Sequence, residues 1–211
     1  MPIFDIVNVA DSTTIYLWKI TEDLDFFLNG LELRKESRVR LEGMKSVSHK
    51  KGFLSIRHLL DCAGYKDEDL FYDIDGKPYL KDGKKISITH SFEFSAIIIS
   101  TVNVGIDIEL QRDKIERIAQ KFSNDIELKY LAHDNVARVR MLTVIWGAKE
   151  AMYKMCNSRS LSFKDHMRVA PFSLDNDQGL SEVVTESFNK AFVFYFLEFE
   201  GFTMVYALEN E

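Results

Sequence analysis

The stretch FSAIIISTVNVGIDIEL, Phe94–Leu110, limits the fold more than any other part of this chain. Phe94–Thr101 is short, β-branched and apolar on consecutive positions, which describes a strand buried on both faces. Val102–Asn103 turns the chain, and Val104–Glu109 reads as a second strand. Other segments add helices and strands on both sides of that turn. Ile15–Ile20 and Ile86–Ile88 read as strands, and DGKPYL (Asp75–Leu80) is turn chemistry before a short one. Val47–Ala63 carries Phe53, Ile56, Leu60 and Ala63 on one helical face, with Gly64 as its stop. Asp113–Ala132 and Arg138–Met155 read as helices, and Ala191–Phe199 with Phe202–Leu208 as a hairpin closed at Glu200–Gly201. The pattern predicts an α+β fold whose halves, 1–102 and 103–211, meet near Thr101–Asn103 with no linker composition between them.

Composition removes several function classes. Of 211 residues, 46% are hydrophobic and 28% charged, ordinary for a soluble globular chain. No apolar run approaches the roughly 20 residues that cross a bilayer, so no membrane partner is expected. The N-terminal MPIFDIVNVADSTT lacks the basic-then-apolar plan of a signal peptide. Cys62 and Cys156 have no metal-ligand spacing, and a reduced, cytoplasmic monomer is the expectation. The net charge of −6 argues against nucleic acid. Residues 34–57 nevertheless hold eight Lys or Arg against Glu36 and Glu42. That window is either a solvated helix face or a surface for a small phosphorylated ligand.

Three segments carry residues suited to chemistry. In VGIDIEL, alternation puts Gly105, Asp107 and Glu109 on one face, with the two acids roughly 6.5–7 Å apart at Cα. Both can reach one hard cation from there, although a strand with one wet face gives the same pattern. In TVIWGAKEAMYKM, a turn of 100° per residue gathers Met141, Ile145, Ala148, Met152 and Met155 within about 80°. Glu150 and Lys154 fall opposite, beside Trp146 and Tyr153. They form either a solvated helical pair or part of a covered site. In SITHSFEF, His90 stands between Thr89 and Ser91 at a strand end. Arg57 lies about 40° from Phe53 at the margin of its helix's apolar stripe, with Lys50 near the same line. An arginine so placed needs an internal acid or a phosphate.

Together these segments resemble the 4′-phosphopantetheinyl transferase superfamily, in its larger surfactin-synthetase-activating type. The family's G-(I/V)-D-(I/V/L)-E is Gly105-Ile106-Asp107-Ile108-Glu109 here, and its W-x-x-K-E-(A/S)-x-x-K is Trp146 to Lys154. Its GKP element is Gly76-Lys77-Pro78, and its S-H-S is Thr89-His90-Ser91, with Thr89 a departure that keeps the hydroxyl. KFSNDIE is similar to an F-S-x-x-E element, but Glu127 stands one position late. The likeness runs from about residue 45 to 175.

The resemblance implies a pseudodimer of two similar α+β halves with the active site in the cleft between them. It implies transfer of the phosphopantetheine arm of coenzyme A to a serine of an apo acyl or peptidyl carrier protein, with release of 3′,5′-ADP. Asp107, Glu109 and Glu150 would hold Mg²⁺, and Lys154 would steady the phosphate charge. Glu150, directly or through a metal-bound water, would take the serine proton. Lys149, Lys77, Pro78, Thr89 and His90 would contact coenzyme A, with His90 at its 3′-phosphate. Lys50 and Arg57 join them from helix geometry alone. A non-catalytic relative that binds coenzyme A or a carrier protein, and a Mg²⁺-dependent nucleotide phosphohydrolase, are the competing readings.

Overall fold

The computed structural model describes residues 3–158 and 160–209. The chain divides into two compact units, residues 1–102 and 103–211. Each has its own antiparallel sheet and its own core.

The N-terminal unit opens with strands β1 (Ile3–Ala10) and β2 (Thr13–Lys19). Three helices follow, α1 (Leu24–Leu28), α2 (Lys35–Gly43) and α3 (Val47–Cys62). Strands β3 (Leu70–Tyr72), β4 (Pro78–Leu80), β5 (Lys85–Ser91) and β6 (Phe94–Ser100) complete a sheet in the order β1-β2-β6-β5-β4-β3. Helix α3 begins where the Ser46 hydroxyl accepts the His49 N–H, and it ends before Gly64 at φ +84°. Its buried face is wider than the predicted stripe, because Leu54 and Leu59 join Phe53, Ile56 and Leu60 in the core. Every residue of β6 is buried, as a strand with apolar side chains on both faces requires.

The C-terminal unit runs from β7 (Val104–Leu110) through a 3-10 segment, Asp113–Ile118, into α4 (Ala119–Phe122) and α5 (Asp125–Tyr130). The long helix α6 (Asn135–Cys156) is followed by β8 (Met167–Val169), β9 (Gln178–Val184), β10 (Asn189–Phe199) and β11 (Phe202–Glu209). The sheet order is β7-β11-β10-β9-β8, so β6 and β7, close in sequence, belong to different sheets. Helix α6 packs its predicted stripe, Met141, Ile145, Ala148, Met152 and Met155, into the core with Phe192 and Phe194 of β10. Glu200 and Gly201, at φ +48° and +78°, close the predicted hairpin between Phe199 and Phe202.

One predicted element is corrected. Asp113–Ala132 is not a single helix but three short pieces broken at Ser123 and Asn124. The Asn124 side chain accepts the Ile126 and Glu127 N–H groups, while the Glu127 carboxylate accepts the Asn124 N–H. That reciprocal cap starts a new helix where helical periodicity alone continues the old one.

Candidate active site on β7 and α6

The C-terminal unit sets an edge strand against its longest helix. Gly105 makes that contact possible, since a Cβ there would lie 2.1 Å from the Ala151 carbonyl oxygen of α6. Gly147 lets α6 come equally close to the next strand, where a Cβ would lie 2.6 Å from Val205 Cγ2 of β11. With backbones this close, the side chains next along β7 on the same face, Asp107 and Glu109, reach α6 directly.

Lys154 Nζ donates to Asp107 Oδ1 at 2.9 Å and to the Ile106 carbonyl at 2.7 Å. Trp146 Nε1 donates to Glu109 Oε1 at 3.2 Å. Burial raises the Glu109 carboxyl above its usual value, Asp107 raises it further, and the Trp146 hydrogen bond opposes both. Burial also pushes Glu150 up to about 7, with Asp107 and Glu109 adding to the rise and Lys154 working against it. The predicted helical Glu150–Lys154 pair thus becomes a lysine bonded across to the strand. A hollow of about 210 Å³ opens beside Glu109 and Trp146, with Arg112 and Lys114 among its lining and Ile115 and Ile118 as apolar wall.

Among the described residues, no three His, Cys, Asp or Glu side chains converge as a ready-made metal cage. The donor chemistry does fit a hard cation. Asp107, Glu109 and Glu150 supply only oxygen, and burial, with neighbouring carboxylates adding to it, raises two of the three carboxyls, which a divalent cation would offset.

Lys149 is corrected. It is wholly buried, and its three N–H donors go to Glu127 Oε2 at 2.7 Å, the Phe122 carbonyl at 2.7 Å and the Phe163 carbonyl at 2.8 Å. No donor is left for a phosphate. Burial draws its pKa down while Glu127 holds it up. Glu127 is thereby placed as well. It caps α5, accepts the Val169 N–H at 2.8 Å and pairs with Lys149, so it belongs to the core rather than to the carboxylate group.

Arg57 of the N-terminal unit is corrected because an internal acid, not a phosphate, meets it. At 4% exposure it donates from Nε to Asp67 Oδ1 at 3.0 Å and from Nη1 to the Phe53 carbonyl at 3.1 Å. Its guanidinium also lies 3.5 Å from the centre of the Phe53 ring. Asp67 further accepts the Ser37 hydroxyl and the Arg34 N–H, making it the internal acid that an arginine at a core margin calls for. Much of the basic window serves packing too: Arg40 lies over Phe53 and Tyr72, and Arg34 over Phe71.

The remaining predicted residues of that unit are spread out. Lys50 borders a hollow of about 390 Å³ lined by Leu24, Leu28, Leu31, Leu33 and Leu41. Lys77 and Pro78 sit in the turn into β4, where the Lys77 N–H reaches Asp73 Oδ1. The His90 ring rests on α3 at Gly52, whose Cβ would come within 2.5 Å of it, and its Nε2 meets the Phe92 carbonyl at 3.1 Å. Burial draws the His90 pKa down. Thr89, 6% exposed, points to the other face of β5.

The sequence reading missed the aromatic wall of the site. Phe122 and Phe163 flank Trp146, with ring centroids 5.0 and 5.3 Å away. Only the odd presence of Trp146 on a polar helix face signalled a cover there. No helix of the described residues is long and apolar enough to cross a membrane. In comparison with known families, residues 103–207 match the model of the 4′-phosphopantetheinyl transferase superfamily. No curated protein matches the chain.

Proposed function

We propose that this protein transfers the 4′-phosphopantetheine arm of coenzyme A to a serine of an apo acyl or peptidyl carrier protein, releasing 3′,5′-ADP. The observation that carries this reading is the Lys154–Asp107 contact, set beside Glu109 and Glu150 within the residues that match the family. A cationic nitrogen among crowded carboxylates suits pyrophosphate chemistry, where positioning and charge neutralisation supply the catalysis. Asp107, Glu109 and Glu150 would hold Mg²⁺, which when bound neutralises charge on the pyrophosphate oxygens.

The chain's own residues do the rest. Glu150, a carboxylate oxygen beside the site, would take the serine proton. The serine oxygen forms a bond to the pantetheine-bearing phosphorus as the bond from that phosphorus to 3′,5′-ADP breaks. The charge left on the departing phosphate faces Lys154, whose side chain is 27% exposed and so open to a ligand. Lys50, Lys77, Pro78 and His90 are proposed as nucleotide contacts, and Thr89 only as part of the strand that presents His90. The pseudodimer arrangement, the surfactin-activating type and a cytoplasmic monomer belong to the same proposal.

Mass spectrometry of apo carrier proteins incubated with coenzyme A and Mg²⁺ tests it. The reading requires a gain of one phosphopantetheine on the carrier with matching 3′,5′-ADP. Release of 3′,5′-ADP without any carrier would instead mark a phosphohydrolase. Binding of coenzyme A without turnover on any carrier would mark a non-catalytic relative.

A further inference from the structure

The buried lysine of α6 holds two backbones whose side chains touch the carboxylate site. Lys149 Nζ donates to the carbonyls of Phe122 and Phe163. Phe122 ends the short α4, and Phe163 lies in the segment between α6 and β8. The rings of the same two residues flank Trp146, Phe122 edge-on at 73° and Phe163 tilted at 49°. Trp146 lies three residues before Lys149, on the same side of the helix. Its indole N–H reaches Glu109 Oε1.

We infer that Lys149 is a positioning residue: by clamping the Phe122 and Phe163 backbones to α6, it holds the Trp146 indole at the angle that aims the Glu109 carboxylate. The aim rests on the proposed role of Glu109 as a metal ligand; the clamp itself does not. An indole packed against two rings is held in orientation, and its hydrogen bond then orients one carboxylate oxygen. Outer partners of this kind govern how well a ligand meets its metal. Glu127 is the fourth member, because it takes the remaining donor of Lys149 and keeps the ammonium in place.

The chain has two tryptophans, Trp18 and Trp146, so ¹⁵N-tryptophan labelling reports the clamp through two indole resonances. Trp146→Phe assigns them. Replacing the buried pair together, Lys149→Met with Glu127→Gln, leaves neither charge alone in the core. The clamp predicts that the Trp146 resonance moves and broadens while that of Trp18 stays. Mg²⁺ affinity, read by calorimetry, falls roughly 10–100-fold. Trp146→Phe produces the same loss, and adding the pair replacement to it adds nothing. A Trp146 resonance and Mg²⁺ affinity both at parental values would overturn the inference, as would losses that multiply. Should the pair replacement fail to fold, Phe163→Leu removes one flank and keeps the carbonyl bond to Lys149. It must then shift the same resonance and weaken Mg²⁺, and parental values for both overturn the clamp. A parental protein that binds no Mg²⁺ sinks the role of Glu109, and the Trp146 resonance alone then decides the clamp.

Discussion

Lys149 and Lys154 stand five residues apart on one helix, and each meets an acid in a different setting. Lys149 is wholly buried, spends every donor on Glu127 and two carbonyls, and ties loops to α6. Lys154, turned about 140° further around the helix, meets Asp107 and the Ile106 carbonyl and keeps part of its side chain in solvent. One cation is saturated and one is open. The chemistry of a lysine here is decided by what its neighbours leave unspent, not by its place in a motif. Arg57 repeats the buried pairing with an internal acid, Asp67, in the N-terminal unit.

The sharpest way to break the comparison is to remove the acid at the open end. Asp107→Ala takes away an oxygen donor and the partner of Lys154, and turnover should fall well beyond about tenfold while the fold survives. Parental activity at limiting Mg²⁺ would return Asp107 to the strand.

The saturated end should fail in the opposite manner. Lys149→Met leaves the Glu127 carboxylate buried without its partner, at a cost of about 3–5 kcal/mol in stability. Urea unfolding measures it, and Glu127→Gln in the same chain should recover much of the loss. A Lys149→Met protein as stable as its parent would mean that the pair is not closed.

A smaller effect sharpens the contrast through pH. The Glu150 and Glu109 carboxyls are raised in the folded protein, so the fold holds their protons more tightly than the unfolded chain does. The Glu150 contribution to stability is full below the ordinary carboxyl range and is lost as pH rises through about 7, and Glu109 adds a loss of the same sign. Melting temperature should therefore decline between about pH 5 and about pH 8. Glu150→Gln should flatten that decline, and Mg²⁺ should restore stability at its upper end. An unchanged slope in Glu150→Gln would place the titration elsewhere.

Much of this was legible before any coordinates. The Met141–Met155 stripe, the Glu200–Gly201 hairpin and the shared face of Asp107 and Glu109 follow from periodicity and turn chemistry. The break at Ser123–Asn124 was not, since a reciprocal side-chain cap interrupts a segment whose apolar spacing continues through it. The status of Lys149 left a signal that went unused. At 100° per residue it falls about 40° from Ile145, a member of the core stripe, just as Arg57 lies that close to Phe53. A cation at the margin of a buried stripe answers to an internal partner first. What sequence could not supply is which distant backbone or acid fills that place, because Phe122, Phe163 and Asp67 come from other segments.

Lys154→Met tests the open site most directly. Methionine keeps helix propensity and the apolar stem while deleting the charge. Single-turnover transfer to an apo carrier protein, measured beside a melting curve, separates an open site from an ordinary ion pair. Lys154→Met should lose transfer rate strongly, with a smaller fall in melting temperature than Lys149→Met, because Lys154 is partly exposed and Lys149 is not. Transfer at the parental rate would contradict the open site and leave Lys154 as one more cation spent on holding strand to helix.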